Sequence, residues 1–139
     1  MLKGIPPILS PELLKILMEM GHGDDLVIGD GNYPAASSAR HLVRLDGHGV
    51  CELLDAILTF FPLDTFVEAP VTLMKPVDGT ADVPIWKSYR EIIEKHAPGT
   101  KIEQLERFDY YERANKAYAI VATSEMALYA TMILKKGVL

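Results

Sequence analysis

The sequence predicts an α/β fold: one three-layer α/β/α domain over residues 1–139, with helices covering both faces of a mixed, largely parallel sheet. Segments with helical spacing of apolar residues alternate with short apolar runs of strand type along the whole chain. With 49% hydrophobic residues, 139 residues suffice for one core without disulfides. No internal repeat or low-complexity tract divides the chain. Sites in such sheets gather at the carboxyl ends of the strands, which directs attention to Asp30 and to Ser124.

The first half of the chain predicts helix, strand, loop, strand and helix. Ser10, Pro11 and Glu12 have the chemistry of a helix start, and Gly21 ends that helix. The apolar run 26–28 predicts a strand, 31–36 a loop and the alternating segment 41–45 a second strand. A helix is expected from about residue 50 to residue 61.

The second half begins with extended segments at 65–68 and 71–74, and Pro70 between them indicates an edge position or a bulge. Pro84 then starts a helix that ends near 97–99. The remaining pattern predicts a strand over 102–108, a short polar helix over 110–116 and a buried strand over 117–122. The apolar run 132–134 near the end of the chain predicts a surface covered by a second subunit.

The charge balance excludes a class of partners. Lys and Arg number 14 and Asp and Glu 19, a net charge of −5, and no basic run exceeds two residues. Binding to nucleic acid or to an anionic membrane is therefore not expected. The single Cys51 cannot form an internal disulfide, and we expect a buried thiol there. Together with the absence of a long apolar segment or export signal, this predicts a cytoplasmic protein.

His22 is the strongest candidate for chemistry. It lies in a glycine-lined turn after a predicted helix, with the carboxylates of Asp24, Asp25 and Asp30 close behind it in sequence. An imidazole in this setting suits proton transfer near neutral pH. The alternative is structural: Gly21 caps a helix, His22 lies in the field of its dipole and Asp24 only opens a strand.

Other kinds of site fit the sequence less well. The segment 29–32 lacks the third glycine and following helix of a phosphate loop. Imidazoles and carboxylates gather in the first third of the chain, but without metal-ligand spacing, so we predict no metal site. Serine catalysis lacks a nucleophile-elbow motif.

Aromatic and cationic side chains cluster in the last third of a chain with only 8% aromatic residues. The cluster comprises Arg107, Phe108, Tyr110, Tyr111, Arg113, Tyr118 and Tyr129. Ring stacking combined with polar hydrogen bonds is how proteins hold small polyhydroxylated ligands, so a sugar site is one interpretation. The other is that these rings fill the core or cover a surface.

A series of segments, in order along the chain, resembles a known family. They are LKGIPP at 2–7, LSPELL at 9–14, MGHGD at 20–24, DGNYPA at 30–35, PLDT at 62–65, ERF at 106–108, YERA at 111–114, ATSE at 122–125, LY at 128–129 and LKKGV at 134–138. The chain resembles, nearly end to end, the family that contains fucose mutarotases and D-ribose pyranases, and within it the fucose branch.

The resemblance implies a cofactor-free cytoplasmic enzyme that interconverts the α and β anomers of a sugar, L-fucose first among the candidates. It also implies a ring-like homo-oligomer, a pentamer or a decamer, with sites between subunits. The residue matching the family's proton-transfer histidine is His22, and the sugar-binding positions match Asp30, Arg107, Tyr129, Ala130 and Thr131. Asp24 is expected to orient His22, Tyr118 is a possible supporting residue, and Tyr129 is expected to reach the sugar of a neighbouring chain.

Two positions depart from the family pattern. Thr131 stands where Asn is usual, which replaces an amide with a hydroxyl and leaves the sugar preference open. Gly31 stands where Ala is usual, which leaves the loop after Asp30 freer. The alternatives are a pyranase that exchanges ring size after the same opening step, and a non-catalytic sugar sensor.

Overall fold

A computed structural model describes residues 1–139 and contains one six-stranded sheet. The strands are β1 (Asp25–Gly29), β2 (Leu42–Leu45), β3 (Val71–Met74), β4 (Ile102–Leu105), β5 (Ala119–Thr123) and β6 (Met132–Lys135). Their order across the sheet is β2-β5-β1-β6-β3-β4. Only β6 runs antiparallel to its neighbours, so the predicted mixed, largely parallel sheet is confirmed.

Helices cover both faces of the sheet, which confirms the predicted three layers. They are α1 (Pro11–Glu19), α2 (Ala35–Ser38), α3 (Val50–Leu58), α4 (Pro84–His96) and α5 (Arg107–Asn115). The face under α1, α3 and α4 holds a core cluster of 28 buried residues, against 10 on the face under α2 and α5. The first face therefore supplies most of the hydrophobic stabilisation. None of the helices combines the length and hydrophobicity needed to cross a bilayer.

Helix starts follow the local sequence signals. The Ser10 hydroxyl accepts a hydrogen bond from the Leu13 N–H at 3.2 Å, and proline occupies the first turn of both α1 and α4. The predicted strand over 102–108 is too long, because β4 ends at Leu105 and α5 begins at Arg107. The buried residues of α5 are Tyr110 and Ala114, which lie one helical turn apart. This spacing is typical of a helix with one buried face.

Several smaller predictions were wrong. β3 is an interior strand between β6 and β4, not an edge, because Pro70 lies just before it and loses no ladder hydrogen bond. The segment 65–68 forms no strand, and part of the predicted loop over 31–36 belongs to α2. Cys51 is half-buried on α3, where burial raises the pKa of its thiol.

The apolar run 132–134 is not an uncovered surface. It forms β6, inserted between β1 and β3, and its three residues are fully buried within the chain itself. The inference of a partner from this run was therefore wrong.

The strand directions define two edges of the sheet. The five parallel strands β1 to β5 begin at what we call the amino edge and end at the carboxyl edge, while β6 runs the other way. Residues before β1 and after β6 therefore lie at the amino edge. Residues after β1, after β4 and before β6 meet at the carboxyl edge.

Candidate active site

The structure divides the predicted site residues between the two edges. His22, Asp24 and Tyr118 precede β1 or β5 and lie at the amino edge. The five predicted sugar-binding residues, Asp30, Arg107, Tyr129, Ala130 and Thr131, lie at the carboxyl edge. The five residues of β1 separate His22 from Asp30 by about 16 Å at 3.3 Å per residue. Within one chain, the histidine and the binding residues cannot touch the same small ligand.

A pocket of about 250 Å³ opens at the carboxyl edge. Its lining combines polar groups with aromatic and apolar side chains: Asp30, Asn32, Tyr33, Met74, Arg107, Tyr111, Leu128, Tyr129 and Thr131. This volume lies just below the range of about 300–1,000 Å³ usual for drug-sized ligands, so the pocket suits a single small ring. We call it the carboxyl-edge pocket.

Asp30 provides a buried carboxylate in this pocket. One carboxylate oxygen accepts a hydrogen bond from the Asn32 N–H at 2.9 Å. Burial raises the pKa of Asp30, and nearby backbone N–H groups, including those of Ala130 and Thr131, partly offset the rise. A carboxylate held in this way can accept hydrogen bonds from ligand hydroxyls.

The segment 129–131 is fixed by two aromatic side chains of α4. The Trp86 indole N–H donates to the Tyr129 carbonyl at 2.9 Å, and the Tyr89 hydroxyl donates to the Ala130 carbonyl at 2.8 Å. Tyr129 itself has a φ of 55°, a left-handed conformation that is costly for a residue with a Cβ. The helix thus holds the Tyr129 ring at the pocket in a strained but defined position.

Thr131 contributes to the pocket differently from what the family pattern implies. Its side-chain hydroxyl donates to the Ile28 carbonyl at 3.1 Å and lies 3.0 Å from the Tyr110 hydroxyl. The residue is only 2% exposed. Its hydroxyl is therefore already used by the protein, and its backbone N–H faces Asp30.

Arg107 is free to bind a ligand. Its guanidinium lies over the Phe108 ring, 4.6 Å from the centroid, while neighbouring Glu106 pairs with Lys75. The side chain is exposed at the rim of the pocket, at the start of α5. A guanidinium presents several donors in a fixed plane and suits adjacent hydroxyls of a sugar.

At the amino edge, His22 forms a pair with Asp64. Its Nε2 lies 3.1 Å from Oδ1 of Asp64, and its ring contacts that of Phe66 at 5.3 Å between centroids. The imidazole is 45% exposed while the carboxylate is only 3% exposed. The Phe66 N–H, His22 and Lys135 hold the pKa of Asp64 below its usual value. A carboxylate that orients an exposed imidazole is a typical proton-transfer arrangement.

Asp64 was missed by sequence reasoning, which expected Asp24 to orient His22. Asp24 instead accepts a hydrogen bond from the Gly21 N–H at 2.7 Å and so shapes the turn before the histidine. Asp64 lies 42 residues from His22, so no local spacing could reveal the pair. The PLDT segment at 62–65 belonged to the family pattern, but nothing in it indicated a partner.

Tyr118 does not contribute to the carboxyl-edge pocket. Its hydroxyl donates to a Glu19 carboxylate oxygen at 3.1 Å, and its ring lies 4.7 Å from that of His41. It therefore covers the amino edge at the start of β5 instead of supporting the binding residues.

The end of β6 fixes both members of the His22–Asp64 pair. The Gly23 N–H donates to the Lys136 carbonyl at 2.8 Å, and the Asp64 N–H donates to the Lys135 carbonyl at 3.0 Å. The Lys135 ammonium also donates to the Gly23 carbonyl at 3.1 Å and pairs with Asp25 at 2.9 Å. The strand thus sets the distance between the two side chains.

Other features compete less well as sites. No group of three or more His, Cys, Asp or Glu side chains is arranged to hold a metal ion. A larger hollow of about 410 Å³ lies beside His48, Glu52 and Asp55. Its polar groups already have partners: His48 pairs with Glu52, and Asp55 pairs with His96 at 2.7 Å.

Comparison with known proteins assigns the family. A model described as the RbsD / FucU transport protein family matches residues 3–139. The chain belongs to this family.

Named relatives cover almost the whole chain. An L-fucose mutarotase of Actinobacillus pleuropneumoniae is 49% identical over 140 residues, covering 99% of this chain and 97% of that protein. The human fucose mutarotase is 46% identical over 145 residues, covering 99% and 94%. The crystal structure of the fucose mutarotase from Streptococcus pneumoniae in complex with L-fucose matches with a TM-score of 0.94 and 54% identity, covering 99% of each chain.

Proposed function

We propose that this protein interconverts the α and β anomers of L-fucose and is an isomerase of the mutarotase class. The observation that supports this most strongly is the near full-length similarity, at 46–54% identity, to proteins named fucose mutarotase. The chemistry of the carboxyl-edge pocket agrees, because a carboxylate, a free guanidinium and aromatic faces are the groups that hold a sugar ring.

The reaction requires only proton transfers. A base removes the proton from O1 as an acid protonates the ring oxygen, and the C1–O5 bond breaks to give the open aldehyde. Rotation about C1–C2 and closure on the other face give the second anomer, with the protons returned. No electrons are transferred, so neither a metal nor a redox cofactor is needed for this chemistry.

In this proposal His22 transfers the proton. Asp64 holds Nε2 of the ring, so the opposite nitrogen, Nδ1, is the atom that exchanges a proton with the sugar. A well-placed general acid or base accelerates a reaction by about 10²–10⁴. Asp30 and Arg107 fix sugar hydroxyls. The Tyr129 ring packs against the sugar in the pocket of its own chain, which it lines together with Asp30 and Arg107, and not against that of a neighbouring chain as expected from the sequence.

The separation of His22 from the pocket requires a second copy of the chain. We propose a homo-oligomer in which the amino edge of one copy docks on the carboxyl edge of the next and places His22 over the neighbour's pocket. Exposed apolar side chains flank both positions: Phe66, 75% exposed, beside His22, and Leu128, 67% exposed, at the pocket. Repeated contacts between two different surfaces form a ring when the rotation between copies closes. The family resemblance, not this geometry, implies the subunit number, a pentamer or a decamer.

Exchange of anomeric protons tests the activity. Saturation-transfer NMR on L-fucose should show faster exchange between the α and β signals with the protein than without it, and the acceleration should persist in a chelator. L-Fucose should be accelerated more than D-ribose. Binding without acceleration would favour a sugar sensor, and exchange between pyranose and furanose forms of ribose would favour a pyranase.

A mixing experiment tests the shared site. His22→Ala impairs the histidine edge and Asp30→Asn impairs the pocket, so each variant alone should have much lower activity than the wild type. After the two are unfolded and refolded together, mixed oligomers should regain part of the activity, because some sites then combine an intact histidine edge with an intact pocket. Light scattering on the wild type gives the subunit number, and a monomer, or no recovery on mixing, would contradict this assembly.

A further inference from the structure

The Tyr33 hydroxyl is the one buried side-chain nitrogen or oxygen in the chain that makes no hydrogen bond. Two other buried tyrosines show the contrast: Tyr89 donates to the Ala130 carbonyl at 2.8 Å, and the Tyr110 hydroxyl lies 3.0 Å from that of Thr131. A buried polar group without a partner destabilises the folded state. Phenylalanine would fill the same space without that cost, so the hydroxyl needs an explanation.

Tyr33 forms part of the wall of the carboxyl-edge pocket. Its ring stacks on Tyr111 at 5.7 Å between centroids and meets Tyr110 edge-on at 6.4 Å. Its Cβ packs against the backbone of Gly29, where an added Cβ would come within 3.0 Å. These contacts fix the ring, so the hydroxyl cannot swing away to find another partner within the chain.

The surroundings of the hydroxyl keep it protonated. Burial raises the pKa of Tyr33 far above its usual value, and the negative charge of Asp30 adds to the rise. The group is therefore a hydrogen-bond donor, close to the carboxylate that faces the ligand. A donor and an acceptor among the residues that line one pocket match the hydroxyl groups of a sugar, each of which can both donate and accept.

We propose that the Tyr33 hydroxyl is a substrate-recognition group that donates a hydrogen bond to one hydroxyl of the bound monosaccharide. The proposal rests on the sugar-binding function above. In the free chain the hydroxyl is shielded from solvent, and the partly exposed Tyr111 ring stacks on the Tyr33 ring. Sugar entry shifts the Tyr111 ring and uncovers the donor, a side-chain adjustment common at binding sites.

Tyr33→Phe tests this role, because a recognition group and a structural group differ in two measurements. We expect the variant to have an unfolding midpoint in urea equal to or higher than that of the wild type, since an unsatisfied hydroxyl is removed. The KM for L-fucose should rise about three- to tenfold, the value of one neutral hydrogen bond. The kcat should stay within about twofold, because the bond is present in ground and transition states alike.

Tyr110→Phe is the matched control for stability. It removes a hydroxyl from the same aromatic cluster, but one that is bonded to Thr131, so its unfolding midpoint should fall. If Tyr33→Phe lost stability in the same way, the hydroxyl would have a structural partner and the proposal would be overturned. An unchanged KM for L-fucose would overturn it equally, whatever the stability.

A series of monodeoxy analogues of L-fucose identifies the partner hydroxyl. For the analogue that lacks the partner hydroxyl, wild type and Tyr33→Phe should have the same KM. For the other analogues, the KM of the variant should remain higher than that of the wild type by the same factor as for L-fucose. Dissociation constants extend the series to the 1-deoxy compound, which binds but cannot mutarotate. A ratio of variant to wild type that is the same for all four analogues would contradict a direct bond to one hydroxyl. If the wild type accelerated no sugar exchange at all, the proposed function would fail; normal wild-type exchange with an unaffected variant would refute only the role of Tyr33.

Discussion

The two edges of the sheet differ in what they can do alone. The amino edge presents an exposed imidazole, His22, oriented by the buried carboxylate of Asp64. The carboxyl edge presents an open pocket with a carboxylate and a guanidinium, Asp30 and Arg107, but no histidine. In the proposed mechanism the amino edge supplies the group for proton transfer and the carboxyl edge supplies the groups for recognition. In the assembly proposed above, the two edges are complementary halves of one site that is completed where two copies meet.

The largest effect should come from the amino edge. His22→Ala is expected to lower the rate of anomer exchange by at least about a hundredfold, because it removes the proton-transfer group. The fold should persist, since the side chain is half exposed. His41→Ala is the matched control, because His41 lies at the same edge but contacts Tyr118 instead. Near wild-type exchange by the His22 variant would remove the catalytic role of this edge.

A smaller loss is expected from the carboxylate behind the histidine. Asp64→Asn keeps the shape of the side chain but loses the charge that orients the ring and stabilises its protonated form, so kcat should fall about tenfold. Asp24→Asn is the comparison, because Asp24 bonds only the turn at Gly21. Equal losses in the two variants would show that Asp64 has no special role.

Acidification should affect the carboxyl edge before the amino edge. Burial raises the pKa of Asp30 above 3.8, whereas contacts lower that of Asp64 below 3.8. As pH falls, Asp30 is therefore protonated first, and sugar affinity measured by calorimetry should drop severalfold while the His22–Asp64 pair survives. Asp30→Asn should bind weakly but without this pH dependence. An affinity that stays constant until below pH 3.8 would contradict the order.

The directions of the two pKa shifts, of Asp30 and Asp64, determine how each carboxylate changes the stability of the fold as the pH falls. The lowered pKa of Asp64 means that its contribution to folding is complete above about pH 5 and is lost as pH falls through the depressed pKa. The raised pKa of Asp30 means the reverse: its ionised form opposes folding, so protonation on acidification favours the folded state. Urea unfolding of Asp64→Asn and Asp30→Asn across this range separates the two contributions.

Removing the Lys135 ammonium, which bonds the Gly23 carbonyl at the amino edge, should have a modest effect. Lys135→Met removes the ammonium that joins the Gly23 carbonyl to Asp25, so kcat should fall a few-fold and unfolding should be easier by about 1 kcal/mol. Lys135→Arg should retain part of the kcat and part of the stability that Lys135→Met loses. Lys101→Met is the control, because its pair with Glu68 is fully exposed and such pairs contribute about 0–1 kcal/mol. An unchanged rate would show that the backbone bonds of β6 suffice to hold the histidine.

Sequence patterns predicted what depends on local spacing. The alternation of elements gave the layers and the carboxyl-edge location of Asp30, and the cap at Ser10 placed α1. Strand order depends on pairing between distant segments. The position of β6 in the interior of the sheet was therefore missed. The apolar run 132–134, which is buried in β6, was mistaken for an exposed surface.

The candidate site shows the same limit. His22 and Asp30 are only eight residues apart in sequence, which suggested one site, yet a strand between them places them at opposite edges. The roles inferred for Asp64 and Tyr33 required the three-dimensional structure. Asp64 is defined by a contact across 42 residues of sequence, and Tyr33 by a missing hydrogen bond. The family resemblance gave the positions at the carboxyl edge but not how each one acts.

Substitution of Thr131 is expected to change the activity least. It tests whether this side chain belongs to the pocket or to the core. The family pattern predicts that an amide at this position would bind the sugar better, so that Thr131→Asn would tighten binding. The structure favours a different outcome, because the hydroxyl is bonded to the Ile28 carbonyl and to Tyr110 inside the protein. Thr131→Val should therefore lower the free energy of unfolding by about 1–3 kcal/mol, as two buried polar groups lose their partner.

The same variant should leave KM for L-fucose within about twofold, since the backbone N–H that faces Asp30 is retained. Urea unfolding and NMR exchange on one sample measure both effects. A KM that rises strongly without loss of stability would place the Thr131 side chain on the sugar, and the comparison with Thr131→Asn would then decide whether the amide is the better ligand. A loss of stability alone would assign the Thr131 hydroxyl to the core and leave substrate recognition to the other side chains of the carboxyl-edge pocket.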